Sequence, residues 1–147
     1  MKTTLLLLVL IALSFNSYCQ FTAVPDYEFE EYLETHSTGY YYDPAGNNST
    51  VSLGDPNSMG NGVMDGKVPT EKIDTVTYLR PDGGANTIHN LVGIEDFVAL
   101  EGLWCWYEGI VYLNLSNNIA LKHITLTHND ISTLILGNNS SLTYLGC

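Results

Sequence analysis

Leu121-Lys122-His123-Ile124-Thr125-Leu126-Thr127-His128-Asn129-Asp130-Ile131 carries apolar residues at its first, fourth, sixth and eleventh positions and an asparagine at its ninth. The fourth and sixth residues are two apart, so in an extended strand they point the same way while the residue between them faces out. The pattern recurs on both sides as Leu100/Leu103/Cys105, Ile110/Leu113/Leu115, Ile131/Leu134/Leu136 and Leu142/Leu145/Cys147. The unit starts are 10, 11, 10 and 11 residues apart, so two units make a 21-residue period. Asn118, Asn129 and Asn139 hold the ninth position of three successive units. A strand of three or four residues cannot bury a face alone, but such strands stacked in successive coils share one core. An asparagine at each bend can bond the backbone groups that the turn leaves unpaired. Upstream, Ile88, Leu91, Ile94, Phe97, Leu100 and Leu103 place an apolar residue at every third position and lead into the array.

These units resemble the leucine-rich repeat family, whose consensus reads L-x-x-L-x-L-x-x-N-x-L; residues 121–131 match it throughout if Ile is allowed for Leu. The 10/11 alternation is similar to the short, nested 21-residue class of secreted bacterial surface proteins. Leu91-Val92-Gly93-Ile94-Glu95-Asp96-Phe97 resembles the lead-in repeat of internalin-like proteins, and Val24-Pro25-Asp26 with Phe29 resembles their helical cap. The resemblance implies a leucine-rich repeat solenoid: α/β in class, right-handed, with short parallel strands, few helices and an N-terminal helical cap. Glu108 stands where the first full unit should have its Asn, beside Trp104, Trp106 and Tyr107 in place of small polar residues. The Asn ladder is therefore expected to start one unit late.

Ahead of the repeats, residues 1–19 read as a signal peptide. Lys2 gives a basic start, Leu5 to Phe15 an apolar run too short to span a bilayer, and Ser17-Tyr18-Cys19 a cleavage site. Tyr18 before Cys19 argues against a lipid anchor. Residues 20–87 form the cap. Within it Val24 to His36 is expected to be helical, with Pro25 at the first position and Phe29, Tyr32, Leu33 and His36 on one face. Glu30, Glu31 and Glu34 read as its solvated side, and Gly39 as its stop. Residues 37–62 are a Gly/Asn/Tyr-rich loop with Tyr40-Tyr41-Tyr42 as its apolar cluster. Ile73, Val76 and Leu79 mark the first strand, and Pro81-Asp82-Gly83-Gly84 a turn before the repeats at 88–147.

The 147 residues hold 16 acidic and 5 basic side chains; loss of Lys2 leaves 4 basic residues and a mature charge of -12. An acidic surface repels phosphate backbones, which argues against nucleic acid. No Gly-x-Ser-x-Gly, phosphate loop or His-Glu-x-x-His occurs, and no nucleophile stands beside a plausible base, so no enzyme, metal or cofactor is expected. The adjacent Glu95 and Asp96 read as caps of the turn before Phe97. Asn61-Gly62-Val63-Met64-Asp65-Gly66 begins like a calcium loop, but Val63 takes the third position and Lys72 the twelfth, with Glu71 one short. Asn48-Ser49-Thr50 is a glycosylation sequon by pattern alone. Cys105 and Cys147 lie two periods apart, on the order of 10 Å at strand spacing, which is beyond the reach of a disulfide. Both are expected as buried thiols.

The register also sorts the outward positions. Gly102, Trp104, Trp106, His123, Thr125, Thr127, Tyr144 and Gly146 share one face, while Tyr112, Asn114, Ser116, Thr133, Ile135 and Gly137 share the other. Trp104, Trp106, His123, Thr125 and Tyr144 form a candidate ligand-binding platform; the competing reading packs both tryptophans under the cap or the Tyr-rich loop. The resemblance implies a secreted or cell-surface scaffold that binds a protein partner without catalysis and has no membrane span in its mature chain. The alternatives are a targeting or spacer array of a larger secreted enzyme, or a glycan-binding module. The stop at Leu145-Gly146-Cys147, within a unit, gives the expectation of an N-terminal fragment that aggregates when expressed alone.

Overall fold

A computed structural model describes residues 19–37, 49–81 and 88–147. The signal-peptide segment up to Tyr18, Gly39, Tyr40 to Tyr42, Asn48 and the Asp82-Gly83-Gly84 turn lie outside the described residues.

Strand β1 (Phe21–Ala23) pairs antiparallel with β2 (Lys67–Pro69), with Thr22 opposite Val68. Helix α1 spans Tyr27–Thr35, shorter at both ends than the periodicity predicts. It starts late because Asp26 is the N-cap: its Oδ1 accepts from Phe29 N at 3.1 Å, which satisfies one of the open helix donors. Pro25 therefore precedes the helix instead of opening it. At the other end His36 is extended and bridges to Thr50. A one-turn helix α2 (Thr70–Ile73) follows β2, and β3 (Tyr78–Leu79) comes next, so the Ile73–Leu79 segment is part helix and part strand.

Five three-residue strands follow: β4 (Gly102–Trp104), β5 (Tyr112–Asn114), β6 (His123–Thr125), β7 (Thr133–Ile135) and β8 (Tyr144–Gly146). Among themselves these five skip their sequence neighbours, while β4 also pairs with β3, the strand just before it. One parallel sheet runs β3-β4-β6-β8 and a second pairs β5 with β7. Gly102 lies opposite His123, His123 opposite Tyr144, and Tyr112 opposite Thr133, each an offset of 21 residues. Alternate units thus build alternate sheets. The architecture is mixed, with few helices and short parallel strands, which fits the α/β class.

The middle residues Leu103, Leu113 and Ile124 point inward and are buried. The core is continuous from Val24 through Phe29, Leu33, Ile73, Leu79 and Phe97 to Leu126. Phe29 stacks on Phe97 with centroids 6.5 Å apart, which docks α1 on the 3-10 turn Ile94–Asp96. Full burial of such a ring stabilises by about 1.5–3 kcal/mol. Gly93 opens that turn at φ 102°, and a Cβ there would meet the Ala23 carbonyl at 2.7 Å, so this close approach requires glycine. Burial fades in the last two units: Leu134 and Leu142 are partly buried, and Leu136 and Leu145 are exposed. Cys105 is buried, but Cys147, expected as a buried thiol, is exposed, following Leu136 and Leu145, whose side chains are already open to solvent.

Two of the three acidic residues expected in solvent are buried. Glu31 is exposed, whereas Glu30 and Glu34 are 3% and 0% exposed. Glu30 Oε1 accepts from the backbone N–H groups of Asp65, Gly66 and Lys67, and Glu34 from those of Asn61 and Gly62. Asp26 Oδ2 accepts from His89 N and Asn90 N. Spacing of four puts Asp26, Glu30 and Glu34 on one helix face, where they tie the loop and the start of the repeats to α1.

Candidate functional site

On the four-stranded face the outward side chains form one continuous stack. Tyr78 and Trp104 have ring centroids 5.8 Å apart, Trp104 and His123 5.1 Å, and His123 and Tyr144 4.3 Å. These separations follow the strand spacing; His123 and Tyr144 lie face to face at 10°, while Tyr78 and Trp104 are tilted by 37° and Trp104 and His123 by 30°. The stack has a gap to bridge, because Gly102 holds the position between Tyr78 and His123. Trp104 fills it from two residues along: a Cβ on Gly102 would lie 2.5 Å from Trp104 Cη2. Gly102, expected in solvent, is therefore buried. Trp104 is half-buried between Tyr78 and His123.

Thr125 Oγ1 lies 3.3 Å from His123 Nε2 and fixes the imidazole within the stack. Trp106 sits apart from the stack, with the Arg80 guanidinium 4.4 Å from its ring centroid. Tyr144 ends the stack and is exposed. Trp104, His123, Thr125 and Tyr144 are thus brought together and Trp106 lies beside them. Tyr78 and Arg80 were missed by sequence reasoning, since they precede the regular repeat. Along the same edge, Lys122 Nζ lies 2.8 Å from Glu101 Oε1. The Lys122 hydrogen bond holds the Glu101 carboxyl below its ordinary value, and Glu101 in turn raises the Lys122 ammonium. On the opposite sheet Tyr112, Asn114, Thr133 and Ile135 are exposed.

The three ninth-position asparagines each donate to a carbonyl 21 or 24 residues earlier. Asn118 Nδ2 donates to the carbonyls of Ile94 and Phe97, at 2.7 and 3.0 Å. Asn129 Nδ2 donates to Cys105 O and Leu126 O, while its Oδ1 accepts from Ile110 N. Asn139 Nδ2 donates to Asn118 O at 2.7 Å. Glu108 is buried, and its Oε2 accepts from Ile88 N at 2.9 Å, the counterpart of the bond between Asn129 and Ile110 N. The glutamate therefore supplies the accepting half of the asparagine's work. Of the two acids before Phe97, Glu95 caps the turn by accepting from Gly93 N, whereas Asp96 accepts from the Thr22 hydroxyl and ties β1 to it.

Among the described residues, no group of three or more His, Cys, Asp or Glu is placed to hold a metal ion, and no helix is long and apolar enough to cross a membrane. The calcium-like stretch turns backbone N–H groups of residues 61, 62, 65, 66 and 67 toward carboxylates of α1, an arrangement that suits an anion. Comparison with known proteins finds no matching family model, no matching curated protein and no matching solved structure.

Proposed function

We propose that the chain is a leucine-rich repeat solenoid of the secreted bacterial type with an N-terminal helical cap. In this reading it acts without catalysis, outside the cell or at its surface, and binds a protein partner through the outer face of the four-stranded sheet. The observation that carries the proposal is the parallel register of the four-stranded sheet, which puts Tyr78, Gly102, His123 and Tyr144 in one row, with the Trp104 ring lying back over Gly102. Side chains already locked by mutual stacking lose little freedom on binding. Aromatic residues are also the anchors that dominate binding energy at protein interfaces.

A sugar platform needs free ring faces, and here the faces of Trp104 and His123 are covered by their neighbours. The protein reading is therefore preferred to the glycan reading. Its test is an array of extracellular and cell-surface proteins probed with the wild type, Thr125→Lys on the aromatic face and Thr133→Lys on the opposite sheet. Binding should be lost in Thr125→Lys alone. Equal effects of the two changes would remove the assignment of the face, and saturable quenching of tryptophan emission by a neutral glycan would favour the sugar.

A further inference from the structure

Lys72 occupies the position where a calcium loop starting at Asn61 would carry its last carboxylate. Its ammonium is half-buried and makes no ion pair among the described residues. It points instead into the turn ahead of Asn61, where Nζ lies 2.6 Å from Gly60 O, 3.2 Å from Ser58 O and 3.4 Å from Pro56 O. An ammonium has three N–H donors, and three carbonyls converge on this one. Ser58 and Gly60 are buried, so their carbonyls have little access to water. A cluster of backbone carbonyls at alternate residues is also what a hard cation selects. The other end of the same turn presents Asn61 N and Gly62 N to the Glu34 carboxylate, at 2.8 and 2.5 Å. The turn is thus held by a cation at its carbonyl side and an anion at its N–H side, both supplied by the chain.

We propose that residues 56–60 form a cation cage in which the tethered ammonium of Lys72 takes the place of a divalent metal, so that the cap is ordered without calcium. The lysine brings one positive charge at no cost in metal affinity, and it cannot dissociate. Removing it leaves the carbonyls of the buried Ser58 and Gly60 without a cation, with only the Ser58 hydroxyl, at 3.4 Å, still reaching Gly60 O. Replacing it with a carboxylate brings like partial charges together, and a bridging divalent cation then relieves them.

The test is amide hydrogen exchange at Met59, Asn61 and Gly62, whose N–H groups bond to His36 O and to Glu34, in millimolar calcium chloride and in EDTA. Wild type should exchange equally in both. Lys72→Met should exchange at least about tenfold faster in both, as local opening becomes easier. Lys72→Glu should exchange fast in EDTA and be slowed about tenfold by calcium. Calcium protection of the wild type, unchanged exchange in Lys72→Met, or indifference of Lys72→Glu to calcium would each overturn the proposal. If Lys72→Met unfolds the whole chain, Lys72→Ala with added ethylammonium replaces it; recovered protection supports the cage, and no recovery overturns it.

Discussion

The indole of Trp104 lies over Gly102, two residues earlier on the same strand, so that a Cβ on Gly102 would stand 2.5 Å from Trp104 Cη2 and 2.8 Å from Tyr78 Cδ1. Gly102→Ala should therefore push the indole out of the stack and cost about 1–3 kcal/mol. Urea unfolding followed by tryptophan emission reads both effects, as a lower midpoint and a red-shifted native spectrum. Gly146→Ala is the control: its nearest neighbour is the Tyr144 hydroxyl at 3.0 Å, the free end of a side chain that can swing away.

Glu34→Gln should destabilise by about 1–3 kcal/mol, because an amide NH2 then faces a backbone N–H that has lost its acceptor. Glu31→Gln, one turn away in sequence but exposed, should stay within about 0.5 kcal/mol of wild type. Equal midpoints for the two variants would contradict the burial difference.

Asn118→Ala strips donors from the Ile94 and Phe97 carbonyls at once. A loss of about 1–3 kcal/mol is expected, and hydrogen exchange should rise in the 91–97 lead-in before it rises in α1. Uniform acceleration over the whole chain would point instead to a general loss of packing.

The Glu101–Lys122 pair gives a pH dependence with a definite sign. Glu101 is lowered in the fold, so its contribution is present above its unfolded value and is lost as pH falls through the folded one. Lys122 is raised, so its contribution is present below its unfolded value and is lost as pH rises through the folded one. The pair therefore acts across neutral pH and fades at both extremes, with its effect limited by solvent screening. In Lys122→Met the Glu101 carboxyl should titrate at a higher pH by NMR than in wild type.

The short parallel strands were legible because Leu103, Leu113, Ile124 and Leu134 recur 10 or 11 residues apart, each with a second apolar residue two positions on at Cys105, Leu115, Leu126 and Leu136. The burial of Glu30 and Glu34 was not. Acidic residues spaced along a helix read alike whether they face water or backbone amides, and the amides they meet lie 27–37 residues downstream in a loop with no side-chain signature. The outward face was legible as a set of positions, but its stacking was not. Register places Gly102 and Trp104 on the same side; that the indole lies back over the glycine depends on Tyr78 and His123 as neighbours, and Tyr78 precedes the periodic region.

Because the strands β4 to β8 pair with one another at 21 residues, each skipping the strand between, the array counts in twos. Inserting or deleting a single 10- or 11-residue unit after β4 would send every later strand to the other sheet, with Tyr144 moving to the side of Thr133. Gain or loss of 21 residues leaves both faces as they are. Copying errors along such a gene are thereby sorted by parity: even steps lengthen or shorten the aromatic column, and odd steps scramble it.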